Sequence, residues 1–237
     1  MTGTVDRLRF HYFRAGLEGV SVTVLRHLFH WPLSRYHRRA ITDHPSIPRR
    51  MTVDPGDIAV STIPRNRFPH EGPDAFVGEL GGVWDRFQTD LEQTVVYRSI
   101  VARFEHGTPW EDTELYRLEA WKNEHFPDEK TLADLEARCD SIDRLYADIE
   151  ANGYRPTNGL IERVDDPNAS PRAADAVRVG DFLIPDEPRV GLGRDGTPIR
   201  LGGGRHRIAI ARLLEVDAIP AIVLVQHPAS DDADPGP

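Results

Sequence analysis

The chain has 237 residues, enough for a sizeable core, and 39% hydrophobic with 28% charged residues is the balance of a globular domain in water. A single cysteine excludes a disulfide framework and a cysteine-built zinc site, and no run of about 18 uncharged apolar residues offers a membrane span. There are 38 acidic residues against 29 basic ones, and only Lys122 and Lys130 are lysine, a bias that suits a halophilic, cytoplasmic protein whose carboxylates keep its surface hydrated.

The charge is uneven. Residues 1–50 carry nine arginines against Asp6, Glu18 and Asp43, a balance of +6. Subtracting that from the net −9 leaves −15 on the remainder, so a basic arm precedes an acidic body. Leu17, Val20, Val24, Leu25, Leu28 and Phe29 have amphipathic helix spacing in this arm, and Pro32 ends it. Such an arm suits the periphery of an anionic membrane or nucleic acid; alternatively its apolar stripe packs on the body. His27 and His30 are spaced to share a metal, but no third ligand accompanies them.

Residues 51–82 are rich in Pro and Gly and read as an extended connector, with one short strand at Ile58–Thr62. Residues 83–227 form the body. Trp84 to Phe104 has a mostly helical pattern, with Trp84, Phe87, Leu91 and Val95 on one face. Thr108-Pro109-Trp110-Glu111 reads as a capping box opening a helix to about Asn123. Thr131 to Ala151 is the clearest helix: Thr131 caps it, Leu132, Leu135, Cys139, Ile142, Tyr146 and Ile149 form its stripe, and Asn152-Gly153 ends it. Cys139 in that stripe reads as a buried small hydrophobe.

The last third is strand-rich. Leu160–Val164 and Val177–Ile184 are strand candidates, with a polar loop between them. Arg189–Gly193 and Thr197–Leu201 flank Asp195-Gly196, a hairpin signal. Next come Gly202-Gly203-Gly204 and Arg205-His206-Arg207, then an apolar pattern of helical spacing to Leu214. Ala218–Val225 is a buried strand, and residues 228–237 read as a disordered acidic tail. A helix start has unpaired N–H groups and a partial positive charge. Gly203 and Gly204 would let a phosphate approach the backbone, and Arg205, His206 and Arg207 would neutralise it. The alternative is a glycine turn that only begins a helix.

Gly203-Gly204-Arg205-His206-Arg207, with the helix and the Ile219-Pro220-Ala221 strand after it, resembles the signature of the ParB N-terminal domain/sulfiredoxin superfamily. The likeness is strongest over residues 177–227 and extends to Ile149–Pro156, giving a domain core of 149–227. It implies a small mixed sheet with packed helices, and a basic helix start binding the triphosphate of ATP or CTP with Mg²⁺. Sulfiredoxins carry a nucleophilic cysteine where Arg205 stands, so the resemblance does not extend to sulfinic-acid reduction. ParB domains have a glutamate there, so CTP hydrolysis does not carry over. No helix-turn-helix pattern follows.

Phosphoryl chemistry needs a carboxylate near the phosphates. Glu150, Glu162, Asp186, Glu187 and Asp195 are candidates by order along the chain, with Glu150 the best placed and Asp195 most simply a turn residue. The sequence therefore predicts an α/β (α+β) protein with a helical first half and a ParB/sulfiredoxin-like second half. One function class is nucleotide binding, as phosphotransferase, NTPase or sensor. The other is a non-enzymatic module that grips a phosphorylated or anionic partner.

Overall fold

The computed structural model describes residues 41–42, 44–62, 77–125, 131–164 and 176–233. The amphipathic stripe of the basic arm, His27 and His30, and the polar loop 165–175 lie outside these residues. The fold is α+β, built on a mixed eight-stranded sheet and a smaller three-stranded one.

The strands are β1 (Ile41–Thr42), β2 (Arg49–Val53), β3 (Ala59–Ser61), β4 (Gly78–Leu80), β5 (Gln88–Thr89), β6 (Glu162–Arg163), β7 (Ala176–Val179), β8 (Phe182–Pro185), β9 (Arg189–Leu192), β10 (Pro198–Gly202) and β11 (Ile219–Gln226). The helices are α1 (Val95–Phe104), α2 (Glu114–His125), α3 (Leu132–Asn152) and α4 (Arg205–Leu213). The large sheet runs β1-β4-β11-β9-β10-β3-β5, and β2 pairs with the other half of the β11 edge that β4 uses.

The axis is β11, whose near-continuous apolar run is that of a strand covered on both faces. Its side chains alternate as strand geometry requires. Ile219, Ala221 and Val223 enter one core with Ile208 and Ala211 of α4; Ile222 and Leu224 enter the opposite core with Val179, Ile184 and Trp84. Parallel pairing with β9 and antiparallel pairing of β9 with β10 complete the centre, and the Asp195-Gly196 turn forms as expected.

Helix α4 is sandwiched. Ile208 and Ala211 face the sheet, while Ala209 and Ile210 join Ile100, Trp110, Leu135, Cys139 and Ile142 of the helical layer. The apolar pattern in its sequence thus serves two buried faces. The small sheet, β6-β8-β7, covers the other side of β11. Among the described residues no helix is long and apolar enough to cross a membrane.

Several local expectations need correcting. The boundary placed after residue 50 falls inside β2, and the expected connector supplies β3 and β4 to the large sheet. Ile47, Val53, Ile58 and Leu80 are buried there, so this region is core. Helix occupies only Val95–Phe104 of the predicted 84–104. Trp84 and Leu91 belong to opposite faces of the sheet, which one helical stripe cannot serve, so two 3₁₀ turns and β5 carry the chain around the sheet edge. The cap of α2 is Thr113, whose Oγ1 accepts from the Tyr116 amide at 3.3 Å; Pro109 precedes a separate 3₁₀ turn. Thr131 and Asp134 do form the capping box of α3, but Leu132 is 52% exposed and outside the stripe. Only Glu162–Arg163 of the Leu160–Val164 candidate is strand, and Leu160 is exposed. Residues 228–233 of the expected disordered tail form a 3₁₀ helix with Ser230 buried.

Candidate functional site

The loop from β10 into α4 turns on two residues in the left-handed region, Gly203 (φ 58°) and Gly204 (φ 59°). An L side chain at either would be strained. There is also no room: a Cβ on Gly203 would come within 2.9 Å of Arg189 Cζ, and one on Gly204 within 2.8 Å of Pro188 Cα. The space the glycines leave is filled by Pro188 and Arg189. Their role is to let the turn pack on the start of β9, and this corrects the expectation that they open a path for phosphate.

What the turn delivers is an unsatisfied helix start. Gly204 is the N-cap, offers no side-chain cap, and its carbonyl takes the first helical bond from Ile208 at 2.9 Å. Among the described residues no group accepts from the backbone amides of Arg205, His206 and Arg207. Arg205 is half-buried, and its guanidinium has no ion pair or hydrogen bond among the described residues. A cation in the first turn opposes the helix dipole, so Arg205 lacks both usual sources of compensation.

His206 is a different object from the one its sequence neighbours suggest. Its Nε2 is buried with no hydrogen-bond partner among the described residues. Burial, then the charges of Arg138 on α3 and Arg200 on β10, push its pKa down to about 3. The imidazole is therefore neutral at ordinary pH and adds no positive charge, contrary to the sequence expectation.

Arg207 turns away toward the loop between β8 and β9. Its Nη1 donates to the Asp186 carbonyl, and its Nη2 donates to Asp186 Oδ2 at 3.3 Å. Glu187 Oε2 is 3.9 Å from Nη1. Glu187 is fully buried; it accepts from Tyr154 Oη at 2.9 Å and from the Thr157 amide. A buried carboxylate needs a cation as well as donors, and Arg207 is the cation in place. Burial and the adjacent Glu187 carboxylate push the Tyr154 phenol upward, so it stays a neutral donor. Arg207 is thus a counter-ion within the fold, and among the described residues Arg205 alone of the predicted basic trio presents a charge without a described partner.

Among the carboxylates, Asp186 and Glu187 meet the helix start through Arg207. Glu150 is exposed on α3 and accepts from Tyr146 at 3.2 Å, with no described contact to the glycine turn. Glu162 lies exposed on β6, and Asp195 Oδ1 accepts from the Thr197 amide at 3.1 Å as a turn residue. The Asp186–Arg207 pairing spans 21 residues and leaves no periodic trace, so spacing could not select it.

Other clusters have structural explanations. Asp85, His227 and Ser230 follow a familiar hydrolase order, yet Ser230 Oγ donates to the His227 carbonyl at 2.7 Å and His227 Nδ1 accepts from the Ala229 amide at 3.1 Å. Asp85 is bound instead by Arg194 at 2.7 Å; burial raises its carboxyl, but the Arg194 bonds outweigh it and the net shift is down. Cys139 is buried, and burial pushes its thiol up to about 11, which removes thiolate chemistry. An open groove of about 600 Å³ lies at the far end of α4, lined by Asp57, Gln88, Asp90, Glu92 and Arg212 and by no residue of the glycine turn. Among the described residues no three His, Cys, Asp or Glu side chains gather as metal ligands.

No family model, curated protein or solved structure matches the chain.

Proposed function

We propose that the chain binds a phosphate-bearing ligand at the start of α4, and that this ligand is a nucleoside triphosphate, ATP or CTP. The observation that supports this is the set of three amides, those of Arg205, His206 and Arg207, without acceptors among the described residues, at an N-cap with no capping side chain. Such a start is a ready anion site. The resemblance of residues 203–207 to the ParB/sulfiredoxin signature supplies the choice of nucleotide. Mg²⁺ would arrive with the phosphates, and Asp186, a partly exposed carboxylate paired with Arg207, is a hard-oxygen group that could meet it.

The reading is of a nucleotide binder. Glu187 is fully committed inside the fold, and Glu150 has no described contact with the turn, so among the described residues no base or metal-holding pair supports phosphoryl transfer. The same commitment favours a second reading, a non-enzymatic module for a phosphorylated or anionic partner.

Calorimetric titration of ATP, CTP and GTP with Mg²⁺ tests the proposal, with Arg205→Ala beside the wild type. At least one nucleotide should bind, and the variant should lose about tenfold in affinity, the scale of one charge-assisted contact. No heat from any nucleotide overturns it. Binding of tripolyphosphate but of no nucleotide moves the site to the second reading.

A further inference from the structure

The chain contains two asparagine–glycine pairs, Asn152-Gly153 and Asn158-Gly159, and the fold puts them in opposite conditions. An asparagine before a glycine can lose its side-chain amide without an enzyme. The glycine nitrogen attacks the asparagine Cγ, and with no Cβ beside that nitrogen little hinders the approach. An acceptor that holds the glycine N–H, or a partner that holds the asparagine side chain, opposes the attack. Asn152, at the end of α3, has both. The Gly153 amide donates to the Ile149 carbonyl at 2.9 Å, and Asn152 Nδ2 donates to Asp148 Oδ1 at 2.8 Å, back along the helix. Asn158-Gly159 has neither among the described residues. Both of its residues are exposed, in the irregular segment 153–161 between α3 and β6. The flanks of the pair are pinned all the same. The Thr157 amide donates to Glu187, and Arg50 Nη2 donates to the Thr157 carbonyl at 3.1 Å and to the Gly159 carbonyl at 3.4 Å.

We propose that Asn158 is a modification site, converted by spontaneous deamidation to aspartate and isoaspartate in the folded protein, while Asn152 is protected. The Gly159 nitrogen bonds to Asn158 Cγ and the Cγ–Nδ2 bond breaks, closing a succinimide ring. The amide proton of Gly159 leaves with Nδ2 as ammonia. Water then opens the ring. Cleavage between Cγ and the Gly159 nitrogen gives aspartate. Cleavage between that nitrogen and the main-chain carbonyl carbon of residue 158 gives isoaspartate. Water is the sole co-reactant, and the exposed pair is in contact with it. Either product adds a carboxylate between two carbonyls that share Arg50, and isoaspartate also lengthens the main chain there.

The test ages the full chain at mildly alkaline pH, both folded and in guanidinium chloride. Fragmentation mass spectrometry of the peptide that spans both asparagines follows each one, with isoaspartate scored separately. In the folded protein Asn158 should convert at least about tenfold faster than Asn152, because conversion at Asn152 waits on opening of the α3 end. In guanidinium chloride the two should convert at similar rates, since the dipeptides are the same. Asn158→Gln, which would have to close a larger ring, should lose the product at this position and keep the wild-type melting temperature. Equal rates at the two positions in the folded protein overturn the proposal. So does an Asn158 that stays intact while the denatured chain converts. A gap of the same size that persists in guanidinium chloride also overturns it, because the difference then lies in the neighbouring sequence and not in the fold.

Discussion

The two ends of α4 hold the same residue type under opposite conditions. Arg212, in the last turn, donates to the Gly56 carbonyl and to Glu92 Oε1, both at 2.7 Å, and its charge lies where the helix dipole favours a cation. Arg205, in the first turn, opposes the dipole and has no carboxylate among the described residues. A protein with net charge −9 has acids to spare, yet among the described residues none is placed against this arginine, so no described contact explains its position through stability. The end that is badly arranged for folding is the end that is well arranged for an anion. This contrast, more than the glycine count, is what supports the proposed binding site over a plain helix start.

The largest expected effect separates Arg207 from Arg205. Arg207→Ala leaves Glu187 fully buried with its donors but without its cation. Removing one partner of a buried pair costs about 3 kcal/mol or more. For a chain of this size that lowers the melting temperature by roughly 6–12 °C. Arg205→Ala should leave the melting temperature within about 1–2 °C of the wild type while weakening the anion site. Thermal melts of the two variants side by side decide it; equal losses would mean that Glu187 does not depend on Arg207.

His206 sharpens the same division through pH. Its pKa lies near 3 in the fold, pushed down by burial and by Arg138 and Arg200, against about 6.5 in the unfolded chain. Between those values the unfolded state binds the extra proton, so stability falls as pH drops below about 6.5 and the loss continues toward 3. The slope approaches about 1.4 kcal/mol per pH unit from this residue alone. His206→Gln removes the titration, and its stability should fall less steeply than the wild type between pH 6.5 and 5, as followed by urea melts. Parallel slopes would show the imidazole to be solvated and able to charge.

How much of this could be read in the chain depends on whether a pattern is periodic. β11, α3, α4 and the Asp195-Gly196 hairpin each bury a regular face, and the sequence displays that regularity directly. Residues 84–94 serve both faces of the sheet within eleven positions, so their apolar spacing mimicked a helix that does not form there. β2 was hidden because Arg49 and Arg50 open it, yet all five of its residues pair with β11. The position of the glycine turn was legible, but the division of labour within it was not. Pro188 beneath Gly204, the Asp186–Glu187 loop against Arg207, and the burial of His206 Nε2 near the charges of Arg138 and Arg200 are all contacts across the fold. Three adjacent basic letters thus became a counter-ion, a neutral buried ring and one available charge.

The smallest predicted effect is the most direct reading of that available charge. Removing Arg212 deletes an ion pair and a carbonyl contact, each partly exposed, and should lower stability by about 0.5–1 kcal/mol. Removing Arg205 relieves an unfavourable placement at the opposite terminus, so Arg205→Ala should raise stability by a few tenths of a kcal/mol at low ionic strength. The signs, not the sizes, carry the argument. Salt should shrink the Arg205 gain, because a cation facing only the helix dipole is screened. A phosphate ligand should reverse its sign, since binding stabilises the wild-type fold by mass action more than it stabilises the variant. Melts of Arg205→Ala with and without tripolyphosphate and Mg²⁺ read both at once: a gain without ligand that turns into a deficit with it assigns Arg205 to binding, and a loss under both conditions returns it to the fold.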